Sequence, residues 1–405
     1  MVGAAVFTSS GLALGDLGSR ELVLLAWIVG GALAMLGALS YAALARRMPG
    51  SGGEYHYLTR GLHPLAGFLA GWVSLLVGFT APIALAAHAM HGYLAPLMGL
   101  EVSREALATA VIVSAGVMHG FRVHGGAWLQ TLVVGLKLVL IAGFVAVGLS
   151  VGGAPAGPVV AEPFDAPSFA RTLVWVSLSY SGWNAAVYVA AEVRDPARNV
   201  GRAMILGTAL VAVVYVAMNF VFLYSAPVEE LAGQEAIAAV VAENLGGSWL
   251  RDMVAVLVAI ALFSSVSAMV MAGPRVYARM AEDGVFPRVF DLRRGVPSAA
   301  IALQVALAVA IVWVTTLQGL LDYCGFTLSL STAATVAVLM LLRRREGPGR
   351  VPVPGYPWVP LCYVVATLAI GVFFAARDLE NTALGLGTVV VGVPLYFIWR
   401  GRAAS

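Results

Sequence analysis

SYSGWNAAVYVAAEVRDPARNVGRA, Ser179–Ala203, breaks an apolar run where a bilayer makes a break costly. The residues leading into it, RTLVWVSLSY (Arg171–Tyr180), read as helix. Small and polar Ser179, Ser181, Gly182 and Asn184 then interrupt the run. An apolar stretch resumes and ends at Glu192 and a charged loop. Backbone groups freed inside hydrocarbon need partners, so irregular backbone persists only where it lines a cavity or is buried in protein. The stretch predicts a helix broken at a binding site.

The rest of the chain supplies the membrane. It is 60% hydrophobic and 11% charged, with mean hydropathy +0.89; soluble domains carry about 25% charged residues. Runs of roughly 20 apolar residues, enough to cross a bilayer, recur. They predict spans near 22–45, 65–94, 105–121, 126–150, 169–191, 203–225, 249–274, 298–318, 321–342, 359–376 and 381–399, after a shorter apolar stretch near 1–14. With the loop after the first full span inside, 18 of the 24 basic residues are cytoplasmic and five are outside. The remaining one, Lys137, falls within a span. That asymmetry fixes the orientation. The net charge of +3 implies no nucleic-acid partner, because no long soluble segment exists to bind one. Cys324 and Cys362 make neither a disulfide framework nor a metal cluster. The amino terminus lacks the pattern of a cleavable signal peptide.

A second interruption, GAAVFTSSG (Gly3–Gly11), precedes SYSGWN by five crossings. Interrupted segments at matching places in two halves point to an inverted-repeat transporter with its site at the midplane. The alternative is that these small residues merely let helices pack closely. The halves are 1–150 and 169–342, with two extra helices over 359–400, all in one membrane domain 1–405. Polar stretches are short: Met48–Pro64 and Glu282–Pro297 inside, Gly152–Pro167 and Pro227–Gly247 outside. The last is expected to hold an amphipathic helix, Val228–Asn244, on the outer surface.

Six stretches, in order, resemble the amino acid–polyamine–organocation transporters. GAAVFTSSG is similar to the family's first-helix break, usually GxGIF. YAALARRMPGSGGEYHYL (Tyr41–Leu58) resembles the signature after the second helix. HGFRVHGGAWLQTLVVGLKLVL (His119–Leu140) resembles the fourth-to-fifth junction. The Gly182–Ala203 stretch resembles the sixth helix, PRVYARMAEDGVFP (Pro274–Pro287) the loop after the eighth, and VPVPGYPWVP (Val351–Pro360) the approach to the eleventh. The resemblance covers nearly the whole chain. It implies an all-α polytopic membrane protein of the leucine-transporter type, with five-plus-five inverted repeats and two C-terminal helices. Two departures stand out: Ala5 replaces a usual glycine, and Met1 lies so close to Gly3 that the first helix is expected to be truncated or to start upstream.

Broken helices expose amino ends that favour anions and carboxyl ends that favour cations. A substrate carboxylate suits the amides of Ala4, Ala5 and Val6, with Gly3 allowing close approach. A substrate ammonium suits the carbonyls near Ser179 and Tyr180. Ser181, Gly182 and Asn184 complete the sixth-helix break, where Asn184 either meets the ligand or braces the chain. Trp183 is expected to pack. Leu178 stands where the family often carries a bulkier aromatic that closes over the substrate. No Asp, Glu or Arg is expected in the mid-membrane core, which favours a neutral amino acid, because a charged side chain would want a buried partner. Lys137 is a bilayer-buried ionisable group and so a functional candidate. In sodium-independent relatives a matching fifth-helix lysine takes the sodium position. The resemblance then implies contacts near Gly3 and with Ser264, Ser265 or Ser267. The other reading is a snorkelling or structural lysine.

Other patterns carry less. His88 and His91 lack further ligands for a metal. GSGG (Gly50–Gly53) reads as a turn, since no Lys-Ser/Thr follows it. Glu192, Arg194, Asp195 and Arg198 read as an inner ion network. No nucleophile–base motif or cofactor motif appears, so no enzyme is expected. The reading is a secondary transporter of small neutral amino acids in the cell membrane, sodium-independent and either proton-coupled or an exchanger. The alternatives are a permease for amines or polyamines, a non-transporting sensor, or a truncated permease. Oligomeric state is not readable.

Overall fold

The computed structural model describes residues 3–99, 101–120, 126–151, 164–290 and 298–403. The expectations about Met1, the junction 121–125, most of the outer stretch 152–167 and the inner residues 291–297 lie outside the described residues. Among the described residues the chain is helical with no strand.

The first half contains α1 (Ala5–Leu17), α2 (Arg20–Arg47), the short α3 (Gly53–Gly61), α4 (Pro64–Val73), a π-helical segment (Ser74–Thr80), α5 (Ala81–Met98), α6 (Arg104–Gly120) and α7 (Gly126–Val151). The second contains α8 (Ala166–Tyr180), a 3-10 segment (Ala185–Glu192), α9 (Pro196–Tyr224), the single turn α10 (Val228–Leu231), α11 (Ile237–Ala272), α12 (Pro274–Glu282), α13 (Ser298–Val314) and α14 (Leu317–Glu346). Two more helices follow, α15 (Trp358–Arg377) and α16 (Leu379–Ala403). Among the described residues, eight helical stretches are long and apolar enough to cross a membrane. Every predicted span coincides with a helical element, so the chain is a polytopic helical membrane protein.

Local chemistry sets the ends. Ser19 caps α2 by accepting from the Leu22 amide, with Arg46 and Arg47 in the last turn. Asp165 caps α8 by accepting from the Ser168 amide at 2.9 Å. Thr316 caps α14, whose last turn holds Arg343, Arg344 and Arg345. Each basic end complements the helix dipole. α2 and α9 pack closely along their length: a Cβ on Gly201 would lie 3.0 Å from the Ala42 methyl.

Three expectations need correction. α9 begins at Pro196 rather than near 203, because Asp195 turns the chain with φ +48° and proline fits the first helical turn. Arg198 and Arg202, read as loop, are therefore helical. The outer stretch is not one surface helix. It breaks at Gly233, and Ile237, Ala238, Val241 and Ala242 beyond it are buried. The Gly233 amide donates to the Gly11 carbonyl at 2.7 Å, so this segment packs onto α1. The inner stretch Met48–Pro64 holds α3, whose Glu54, Tyr55, Tyr57 and Leu58 are buried.

Candidate functional site

The break predicted at Ser179–Asn184 is present. α8 ends at Tyr180, Ser181 is extended (φ −54°, ψ 151°), and Gly182 has φ +90°. The chain resumes as a 3-10 helix rather than an α-helix. Ser9 of α1 lies against it, with the Ser9 and Ser179 hydroxyls 3.3 Å apart. The two sequence interruptions therefore touch.

They border a cavity of about 510 Å³. Of the residues named from sequence, Gly3, Ala4, Ala5, Leu178, Ser179, Tyr180, Ser181, Gly182 and Asn184 line it, with Lys137, Ser264 and Ser265. Val6 is fully buried in the apolar core instead. Ser267 turns away from the cavity to His119 of α6, whose Nε2 lies 2.7 Å from its hydroxyl.

The helix ends offer what the sequence suggested, with one adjustment. α1 starts at Ala5, and its first amides border the cavity with no side-chain cap on Ala4. At the other end, the Tyr215 hydroxyl donates to the Ser179 carbonyl at 3.2 Å. One lone pair of that carbonyl is thus taken, and one remains for a ligand. Tyr215 sits in an aromatic cluster with Trp27 and Tyr180, which fixes the end of α8.

Lys137 is buried, and its ammonium donates to the Ala261 carbonyl of α11 at 3.2 Å. The Ser265 hydroxyl donates to the same carbonyl at 3.0 Å.

Sequence reading did not foresee a buried acid at the site, Glu54 of α3. This carboxylate is 2% exposed and lines the cavity. Tyr41 donates to Oε1 at 2.9 Å, Asn184 donates to Oε1 at 2.6 Å, and the Tyr188 hydroxyl donates to Oε2. Asn184 thus braces the break. Glu54 was read as loop because nothing local distinguishes it. Its burial comes from α3 folding inward under α2 and the 3-10 segment. Gly53 lets this happen, since a Cβ there would meet the Tyr188 ring at 2.3 Å. A second acid, Asp322 at the outer end of α14, is buried and paired with Arg171 at 2.6 Å.

Sequence reading also missed the π segment. Ser74, Gly78 and Phe79 face the cavity there, and π turns recur at functional sites. Gly78 and Pro82 are its only sequence trace. From the late helices, Ser329, Thr332 and Tyr363 join the lining, with the Tyr363 hydroxyl donating to Thr332 at 2.8 Å.

His88 and His91 do not converge: their Nε2 atoms meet the carbonyls of Val312 and Val102 respectively. Arg194, Asp195 and Arg198 form no ion pair among the described residues, so the expected inner network is not formed by them; the Glu192 side chain lies outside that description.

A many-span helical chain with one helix broken at Ser181–Asn184 and the start of α1 beside it, both on a central cavity, defines a polytopic membrane transporter. Its sequence matches the amino acid permease family over residues 1–395, and the chain belongs to that family. It is 26% identical to the serine/threonine exchanger SteT of Bacillus subtilis (strain 168), over 100% of this chain and 94% of that protein. It is 27% identical to Asc-type amino acid transporter 1 of Mus musculus, over 99% of this chain and 79% of the relative. It is 28% identical to the large neutral amino acids transporter small subunit 2 of Homo sapiens, over 98% of this chain and 77% of the relative.

Proposed function

We propose that the chain moves small neutral amino acids across the cell membrane by alternating access, independently of sodium, as an exchanger or with protons. The observation that carries this is the cavity at the sixth-helix break. It offers helix amides at Ala4 and Ala5 for a carboxylate and the carboxyl end of α8 for an ammonium. Its volume fits a small ligand. Glu54 supports a neutral substrate, because its oxygens already accept from Tyr41, Asn184 and Tyr188. The two halves, 1–150 and 169–342, act in this reading as inverted repeats that rock around the site. The relative named for serine and threonine agrees with a small neutral substrate, and the one named for large neutral amino acids agrees with a neutral substrate alone.

Lys137 takes the place of a coupling cation in this reading. Its ammonium is held between α7 and α11 beside the cavity. Replacing it with Gln removes the charge and lowers uptake at least tenfold, which corresponds to ~1.4 kcal/mol.

The test is counterflow in proteoliposomes with a panel of radiolabelled amino acids. Serine, threonine and alanine are taken up equally in sodium and in choline. No uptake of any amino acid rejects the proposal, and uptake that vanishes on removing sodium rejects the role of Lys137. The second reading is a cationic substrate that displaces the three donors of Glu54 and pairs with its carboxylate. Under that reading Glu54→Gln abolishes transport of a polyamine or lysine; under the first it leaves the substrate panel unchanged.

A further inference from the structure

We propose that the cytoplasmic cleft between α2 and α9 binds the phosphate of an anionic inner-leaflet phospholipid, whose acyl chain runs up α9. The cleft, about 420 Å³, is walled by Arg46, Arg198 and Arg202 and floored by Ala42, Gly201 and Ile205. Arg198 and Arg202 stand one turn apart on α9, an arrangement in which like charges repel. Among the described residues none of the three guanidiniums has a carboxylate partner; the neighbouring Arg47 turns away to Glu346. Three cations facing one hollow, with no carboxylate partner among the described residues, suit an anion. The first turn of α9 adds its positive end, since Asp195 makes no side-chain cap.

The same two helices say which anion. Above the cleft, Leu206 and Val213 are 69% and 70% exposed, and they lie on one face of α9. That face leads to a second hollow between the same helices, an apolar groove of about 660 Å³ lined by Ile28, Ala32 and Met35 of α2 and by Ala212, Val213 and Val216 of α9. From Arg202 to Ala212 the helix rises about 15 Å. That equals one leaflet of a hydrocarbon core roughly 30 Å thick. A headgroup held by the arginines therefore brings its tail to the mouth of the groove. A soluble anion would use the cleft but not the apolar track. Basic pockets between helices at the cytoplasmic surface suit anionic headgroups. Tyr180, the last residue of α8, lies in the groove wall, so a bound tail touches the broken helix itself.

The full-length protein, purified in neutral detergent, tests this by native mass spectrometry and thermal melting with added phosphatidylglycerol, phosphatidylcholine or inorganic phosphate. The variant is R46Q/R198Q/R202Q. The control, R344Q/R345Q/R350Q, removes three exposed cytoplasmic arginines elsewhere. Phosphatidylglycerol adducts and the rise in melting temperature are expected with wild type and control. The variant binds it about tenfold more weakly, a loss of 1.4 kcal/mol. Should the triple variant fail to fold, R46Q alone gives the same comparison from the facing helix. Equal binding of phosphatidylcholine, equal loss in the control, or equal stabilisation by inorganic phosphate each overturns the proposal.

Discussion

Gly182 has φ +90°, a conformation that side chains with a Cβ rarely adopt. Gly182→Ala is expected to cost about 1–2 kcal/mol through backbone strain. It is also expected to lower uptake more than its melting temperature suggests, because the strain falls on the cavity wall. A variant with wild-type transport would show that the turn is dispensable. His56 of α3 gives a pH-dependent counterpart outside the spans. Burial pushes its imidazole below the usual range near 6.5, with Arg60 and Arg279 pushing the same way and Asp283 opposing. The fold therefore keeps His56 neutral. Its contribution is fully present above about pH 6.5 and is lost as pH falls through the depressed folded value, because the unfolded chain takes the proton first. Melting temperatures of wild type and His56→Gln between pH 5 and 8 check this: the difference between them should change only on the acid side. At this scale the sequence displayed Gly182 and Ser179 plainly, since polar and small residues stand out in an apolar run. Glu54 was hidden, because a carboxylate in a short polar stretch looks the same whether that stretch is solvated or folded inward.

At the scale of elements, hydropathy set each predicted span on a helical element, because length and apolarity are local properties. The starts and interruptions depended on backbone geometry instead. α9 starts early because of the Asp195–Pro196 turn, and the outer helix splits at Gly233 because it must meet Gly11. The π segment leaves almost no trace in composition, since it adds one residue to a turn without changing polarity. Pairing between elements was equally invisible. Arg171 of α8 bonds Asp322 of α14 through two nitrogens at 3.0 and 2.6 Å, and Trp175 donates to the same carboxylate at 2.7 Å. This joins the outer half of the broken helix to α14. Arg171→Gln strands a carboxylate that is 1% exposed, and such a loss costs about 3–5 kcal/mol. Arg171 is itself part-exposed, so the lower end of that range is expected. Asp322→Asn added to Arg171→Gln should recover most of the loss, and a double-mutant cycle in thermal unfolding measures the recovery. Additive losses would mean that the two residues act separately.

Across the whole molecule, one set of inter-element contacts gathers at the outer face. Arg171–Asp322, Arg377–Asp16 at 2.5 Å and the Gly233–Gly11 backbone bond all close the outer face. The cavity extends the other way, past Tyr188, Met269 and Ala272, toward the cytoplasmic ends of the 3-10 segment and α11. The arrangement expected from this is open to the cytoplasm, and cysteine labelling checks it. Cys324 is buried and Cys362 exposed, so Cys362→Ser gives a quiet background. In that background Ala272→Cys, in the cavity wall, should react with an impermeant maleimide from the cytoplasmic face. Ala13→Cys in the outer half of α1, where the native residue is 1% exposed, should be protected from the outer face. Adding Arg171→Gln weakens the outer seal. A shift of ~1.4 kcal/mol between the two arrangements raises the outward-open population about tenfold, and labelling of Ala13→Cys should rise with it. Labelling of Ala272→Cys should fall in the same preparation, since one cavity cannot face both sides. If both sites react faster in the variant, the seal loosens the protein rather than setting which side is open.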